Sequence, residues 1–95
     1  MLVINLHFPD AGSLKAKRKE LSSIKAQLSG RLGVAVAETG YQDLWQRATL
    51  TAALTGGSLR RLAAAADEVE RWVLARCPDG ASVERLVASV EDLRG

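Results

Sequence analysis

Apolar and polar residues alternate along "LVINLHF", residues 2–8. Leu2, Ile4, Leu6 and Phe8 fall on one face, and Val3, Asn5 and His7 on the other, as in a half-buried strand. "PDAG" interrupts the alternation, and Ser13 offers an N-cap to "LKAKRKELSSIKAQLSGR". There Leu14, Leu21, Ile24 and Leu28 recur at helical spacing, and Gly30 or Gly33 ends the helix. "VAVAE", residues 34–38, is a short β-rich segment, and "TGYQD" supplies turn residues. Residues 40–50, "GYQDLWQRATL", read either as a helix or as a turn feeding a strand. Ala48, Leu50, Ala52 and Leu54 alternate with Arg47, Thr49, Thr51 and Ala53, which favours the strand, over 46–55.

"TGGS" is the clearest break in the chain, and Ser58 is a suitable N-cap. The helix that follows, to about Arg76, is expected to bury Leu59, Leu62, Ala63, Ala66, Val69 and Val73. Cys77 falls on the same stripe, Trp72 lies on its flank, and Pro78 with Asp79-Gly80 ends the helix. "SVERLVASVEDL" fits both periods: Leu86, Ala88 and Val90 alternate, while Val83, Leu86, Val87 and Val90 suit a helix. Its length and its position after a turn favour a fourth strand. The order is then β-α-β-β-α-β. Right-handed crossovers with both helices on one face give an α+β, ferredoxin-like βαββαβ sandwich. Its four-stranded antiparallel sheet is expected in the order 4-1-3-2. The 95 residues fit a single domain, 1–95. The sheet face away from the helices is left open, and in so small a protein it suits a homodimer interface or a ligand platform.

This topology gathers polar residues. The end of strand 1, the start of helix 1, the end of strand 2 and the start of strand 3 share one edge. His7, Ser13, Lys15, Lys17, Arg18, Glu38, Gln42, Asp43, Trp45 and Arg47 are therefore expected there, with His7 beside Arg47 or Trp45. The N–H groups and positive dipole of the helix-1 N-terminus make an anion-binding edge the expectation. Several of these residues also have plain structural readings. Lys17 falls inside the apolar arc, where it either snorkels out or pairs with Glu38 or Asp43, or else binds a ligand. Asp43 and Gln42 suit a turn, and Trp45 is either a stacking platform or a half-covered edge aromatic.

Charge sharpens the picture slightly. The net charge is +2, but residues 1–31 hold six Lys or Arg against Asp10 and Glu20, a net of +4. A basic pole suits an anionic partner such as RNA or phosphate, and a solvated helix face is the alternative. No apolar run approaches the roughly 20 residues of a membrane span. A lone Cys77 and a start without a basic n-region lead to the expectation of a cytoplasmic protein. With one histidine and one cysteine, no metal-ligand spacing, nucleophile set or cofactor loop is present, so no cofactor and no catalytic residues are expected. The outward positions of the central strands lack the aromatics of an RNA-recognition sheet, which leaves backbone contacts rather than base-specific recognition.

Four motifs carry a family resemblance: "LHFP" at residues 6–9, "SLKAKR" at 13–18, "VAVAE" at 34–38 and "QDLWQRA" at 42–48. In this order and spacing they resemble the YlxP-like family, a bacterial family classed as a domain of unknown function. The resemblance covers nearly the whole chain and implies the ferredoxin-like fold. Genes of relatives often lie among those for translation factors and ribosome maturation. The resemblance thus implies a link to ribosomal RNA or a ribosome assembly intermediate, and it carries no catalytic activity over. Two departures stand out. Ala16 replaces a frequent Glu, removing half of a capping box on Ser13, and the C-terminal segment is only loosely similar. The expectation is a non-enzymatic RNA- or ribosome-associated binding protein, with a small-anion-sensing regulatory module as the alternative.

Overall fold

A computed structural model describes residues 1–78 and 80–94. Its elements are β1 (Leu2–His7), α1 (Leu14–Leu32), β2 (Ala35–Gly40), β3 (Arg47–Ala53), α2 (Leu59–Arg76), β4 (Ala81–Arg85) and α3 (Val90–Arg94). The four strands form one sheet in the order β2-β3-β1-β4, every pair antiparallel, as the ferredoxin-like topology requires. Alternation sorts the strands' two faces. Leu2, Ile4, Leu6, Ala48, Leu50 and Ala52 are buried with Leu21, Ile24 and Leu28 of α1 and Ala66, Val69 and Val73 of α2. Cys77 and Trp72 pack partly buried against this core. Both long helices start at a serine whose hydroxyl accepts from the amide three residues on, Ala16 for Ser13 and Arg61 for Ser58. Gly33, not Gly30, ends α1: it sits at φ 67, and its N–H reaches the carbonyl of Leu28.

Two expectations are corrected. Leu59 and Ala63 are exposed, and the buried stripe of α2 begins at Ala66. An 18-residue helix is about 27 Å long, against about 17 Å for the five-residue β4 it contacts, so α2 is longer than that strand, and its first two turns carry no buried residue. The C-terminal segment is not a strand to its end. The β4 ladder closes where Met1 and Leu86 exchange backbone hydrogen bonds, and the chain then turns into α3. A local capping box outweighs the alternation: the Ser89 hydroxyl accepts from the Asp92 N–H at 3.1 Å, and the Asp92 carboxylate from the Ser89 N–H at 2.9 Å. Asp79 of the expected turn lies outside the described residues.

The open face carries a gradient. At one end lie Met1, Leu86, Ala53 and Ala35, all exposed and apolar. Asn5, Thr49, Thr51 and Ser82 occupy the middle, and His7 and Arg47 the other end.

Candidate functional site

The polar end is built from strand ends. His7, last in β1, lies directly opposite Arg47, first in β3, and both are exposed. The backbone holds this corner on both sides: His7 N–H donates to the Gly80 carbonyl at 3.0 Å, and Phe8 N–H to that of Gln46 at 2.8 Å. Gly80 adopts φ 155, and a Cβ there would stand 2.9 Å from the Cβ of His7. A glycine is therefore required for the β4 strand to begin this close to β1.

The β2–β3 connection supplies the rest. Tyr41 adopts φ 58, a left-handed conformation rare for a residue with a side chain, and the only such case among the described residues. Its carbonyl accepts from Leu44 N–H at 3.1 Å, closing a β-turn, and from the ammonium of Lys17 at 2.5 Å. Lys17 is only 1% exposed and sits 3.5 Å from a carboxylate oxygen of Glu38. That Glu38 oxygen is buried and has no hydrogen-bond partner among the described residues, so the Lys17 charge is its compensation. The Tyr41 ring, 48% exposed, lies under the Arg47 guanidinium, 5.4 Å from centroid to Cζ. A cation–π contact of this kind restricts an otherwise mobile arginine to the mouth of the site.

Two shallow hollows adjoin across the His7–Arg47 pair. One, about 400 Å³, is lined by Asn5, Tyr41, Gly80 and Ser82 with His7 and Arg47. The other, about 430 Å³, is lined by Asp43, Leu44, Trp45 and Gln46 with the same two residues. Trp45 is 51% exposed. Beside the first hollow the Thr49 hydroxyl donates to Asn5 Oδ1 at 2.9 Å, and among the described residues the Asn5 NH₂ group has no acceptor. The connection is braced by Gln42, whose amide donates to the Glu38 carbonyl, and by Gln46, whose amide donates to that of Pro9.

The structure thus gathers some of the expected residues and separates others. His7, Asp43, Trp45 and Arg47 share one hollow. Lys17 is engaged inside, with Glu38 and Tyr41. Ser13 is taken up as the cap of α1. Lys15 and Arg18 are exposed on α1, in the helix layer, and line neither hollow. Asp43 makes no side-chain hydrogen bond among the described residues, so its carboxylate does not brace the turn it was expected to suit. Tyr41, Asn5 and Ser82 were absent from the expected set. Asn5 shares His7's alternation and could have been found by it. Ser82 needed the β4 register, in which it stands opposite Asn5, and Tyr41 needed its tether to Lys17. Away from this end, burial pushes the Cys77 thiol pKa up, with Arg76 working against it and Glu20 with it, which makes it a poor nucleophile.

The molecule is a ferredoxin-like α+β protein with a cationic, aromatic-flanked recess at one end of its open sheet face. It belongs to the family described as protein of unknown function (DUF503), whose model matches residues 1–92. It is similar to the uncharacterized protein YlxP of Bacillus subtilis (strain 168), 38% identical over 74 residues that span 67% of this chain and 80% of the relative. No solved structure matches the chain. Among the described residues no helix is long and apolar enough to cross a membrane.

Proposed function

We propose that this protein is a cytoplasmic, non-enzymatic RNA-binding protein that acts on ribosomal RNA or a ribosome assembly intermediate through the His7–Arg47 end of its sheet. The observation that carries this reading is the exposed Arg47 guanidinium held on the Tyr41 ring opposite His7, between two hollows. Arginine fixed at an open, concave surface suits phosphate oxygens, which it meets with paired N–H donors. Lys15 and Arg18, on the neighbouring layer, add long-range attraction rather than contacts within the hollows. The family's gene neighbourhood among translation factors points the same way. Co-sedimentation with ribosomal particles tests the reading: association that weakens as salt rises supports it, and no association of the folded protein at low salt refutes it.

The second reading, a small-anion-sensing module, is favoured by the size of the first hollow, which falls within the range of small-ligand sites. The anion would sit at Arg47, His7 and Asn5 rather than at the α1 N-terminus, which does not line this hollow. Thermal-shift screening of anionic metabolites separates the two readings, since a selective ligand raises the midpoint.

Self-association through the open face belongs to the same proposal. It rests on the apolar end of that face, where Met1, Leu86, Ala53 and Ala35 are exposed; Val87, Val90 and Leu93 of the segment that follows β4 are exposed as well. It leaves the His7–Arg47 end free. Light scattering in solution tests it: a dimer that Leu86→Glu converts to a monomer is expected, and a wild-type monomer at high concentration contradicts it.

A further inference from the structure

We infer that the recess receives two consecutive nucleotides of single-stranded RNA, one base in each hollow, with the phosphate between them at Arg47 and His7. This deepens the RNA-binding reading and rests on it. The hollows are similar in volume, about 400 and 430 Å³, and both are shallow and open, which suits a base laid against a ring rather than an enclosed ligand. Each contains one half-exposed aromatic ring, Tyr41 in the first and Trp45 in the second. They share only His7 and Arg47, so the Arg47 guanidinium stands, with His7 opposite, where a linking phosphate must lie.

The chemistry of each hollow suits a base. In the first, the base stacks against the Arg47–Tyr41 pair, since both a guanidinium plane and a phenol ring accept a stacked base. Asn5, whose NH₂ has no hydrogen bond among the described residues, and Ser82 both line it, and the Asn5 amide can meet a carbonyl of the base edge. In the second, Trp45 stacks and Asp43, without a side-chain hydrogen bond among the described residues, accepts from an exocyclic amine. A carboxylate beside the site disfavours phosphate in this hollow and favours a base such as cytosine. A duplex cannot enter: its bases are stacked on each other, and its phosphates cannot bring a base to either ring. The sequence argued against base contacts because the central strands lack aromatics. The rings come instead from the β2–β3 connection, outside those strands.

Fluorescence anisotropy with a labelled single-stranded oligo(C) RNA, the same length of oligo(U), and a duplex RNA tests this. The wild-type protein is expected to bind oligo(C) at least tenfold more tightly than duplex at one salt concentration. Tyr41→Asn, chosen because asparagine tolerates the left-handed backbone, and Trp45→Ala are each expected to weaken oligo(C) binding about tenfold or more. Asp43→Ala is expected to abolish the preference for oligo(C) over oligo(U). Circular dichroism confirms that each variant is folded. Equal binding of single strand and duplex, unaffected by the two aromatic variants, overturns this inference and leaves the RNA-binding reading standing. Failure to bind any RNA at low salt overturns both.

Discussion

The ammonium of Lys17, in the first turns of α1, donates to the carbonyl of Tyr41, the left-handed residue at the start of the β2–β3 connection. A side chain buried in the helix layer thereby fixes the backbone on which the exposed Tyr41 ring and, through it, the Arg47 guanidinium are held. The same ammonium balances Glu38. One residue thus serves both the core and the recess, which explains a lysine inside the apolar arc of α1.

Replacing Lys17 by methionine keeps the aliphatic stem and removes the charge. Glu38 is then left with a buried, uncompensated oxygen and Tyr41 with a freed carbonyl. The expected loss is about 2–4 kcal/mol in denaturant unfolding. A double Lys17→Met, Glu38→Gln variant should recover part of it, because the unpaired charge is gone. A single variant as stable as the parent would show that the pair contributes nothing.

Gly80→Ala places a methyl group 2.9 Å from the Cβ of His7 at a backbone angle that suits only glycine. A cost of about 1–3 kcal/mol is expected. The distortion falls on the His7 corner, so RNA binding should weaken along with the melting temperature. An unchanged melting temperature would mean that β4 can start further from β1.

The C-terminal helix should respond to acid. The backbone N–H of Ser89, and after it the Ser89 hydroxyl, hold the Asp92 carboxyl below its ordinary value. A depressed carboxylate pKa gives stability that is fully present above the unfolded value and lost as pH falls through the folded one. At neutral pH the cap of α3 is therefore intact, and it opens below the usual carboxylate range. Amide NMR signals of residues 90–94 should shift in that acid window before the strands do. Asp92→Asn should remove the step, and a step that survives this change would assign it to another group.

The sequence made some of this legible and not the rest, for physical reasons. Period-2 alternation set the faces of β1 and β3, so the topology alone brought His7 to Arg47. Lys17 stood out as a cation in an apolar stripe, and its pairing with Glu38 was one of the readings open to it. Tyr41 was invisible because its conformation depends on a tether 24 residues away, and local propensity disfavours a left-handed tyrosine. The basic start of α1 was drawn too close to the recess: sharing an edge of the fold is not sharing a face of the sheet. At the C-terminus, alternation in Leu86, Ala88 and Val90 competed with a Ser89–Asp92 capping box. The box prevailed once the ladder with β1 ended at Met1.

The most direct test of the RNA-binding site is an amide NMR titration of the wild-type protein with a short single-stranded RNA at low salt. Saturable shifts confined to residues 5–7, 41–47 and 80–82 are expected, reduced by Arg47→Ala in a protein that keeps its fold. Shifts centred instead on Lys15, Arg18 and Lys19 of α1, or no shifts at all, would contradict it.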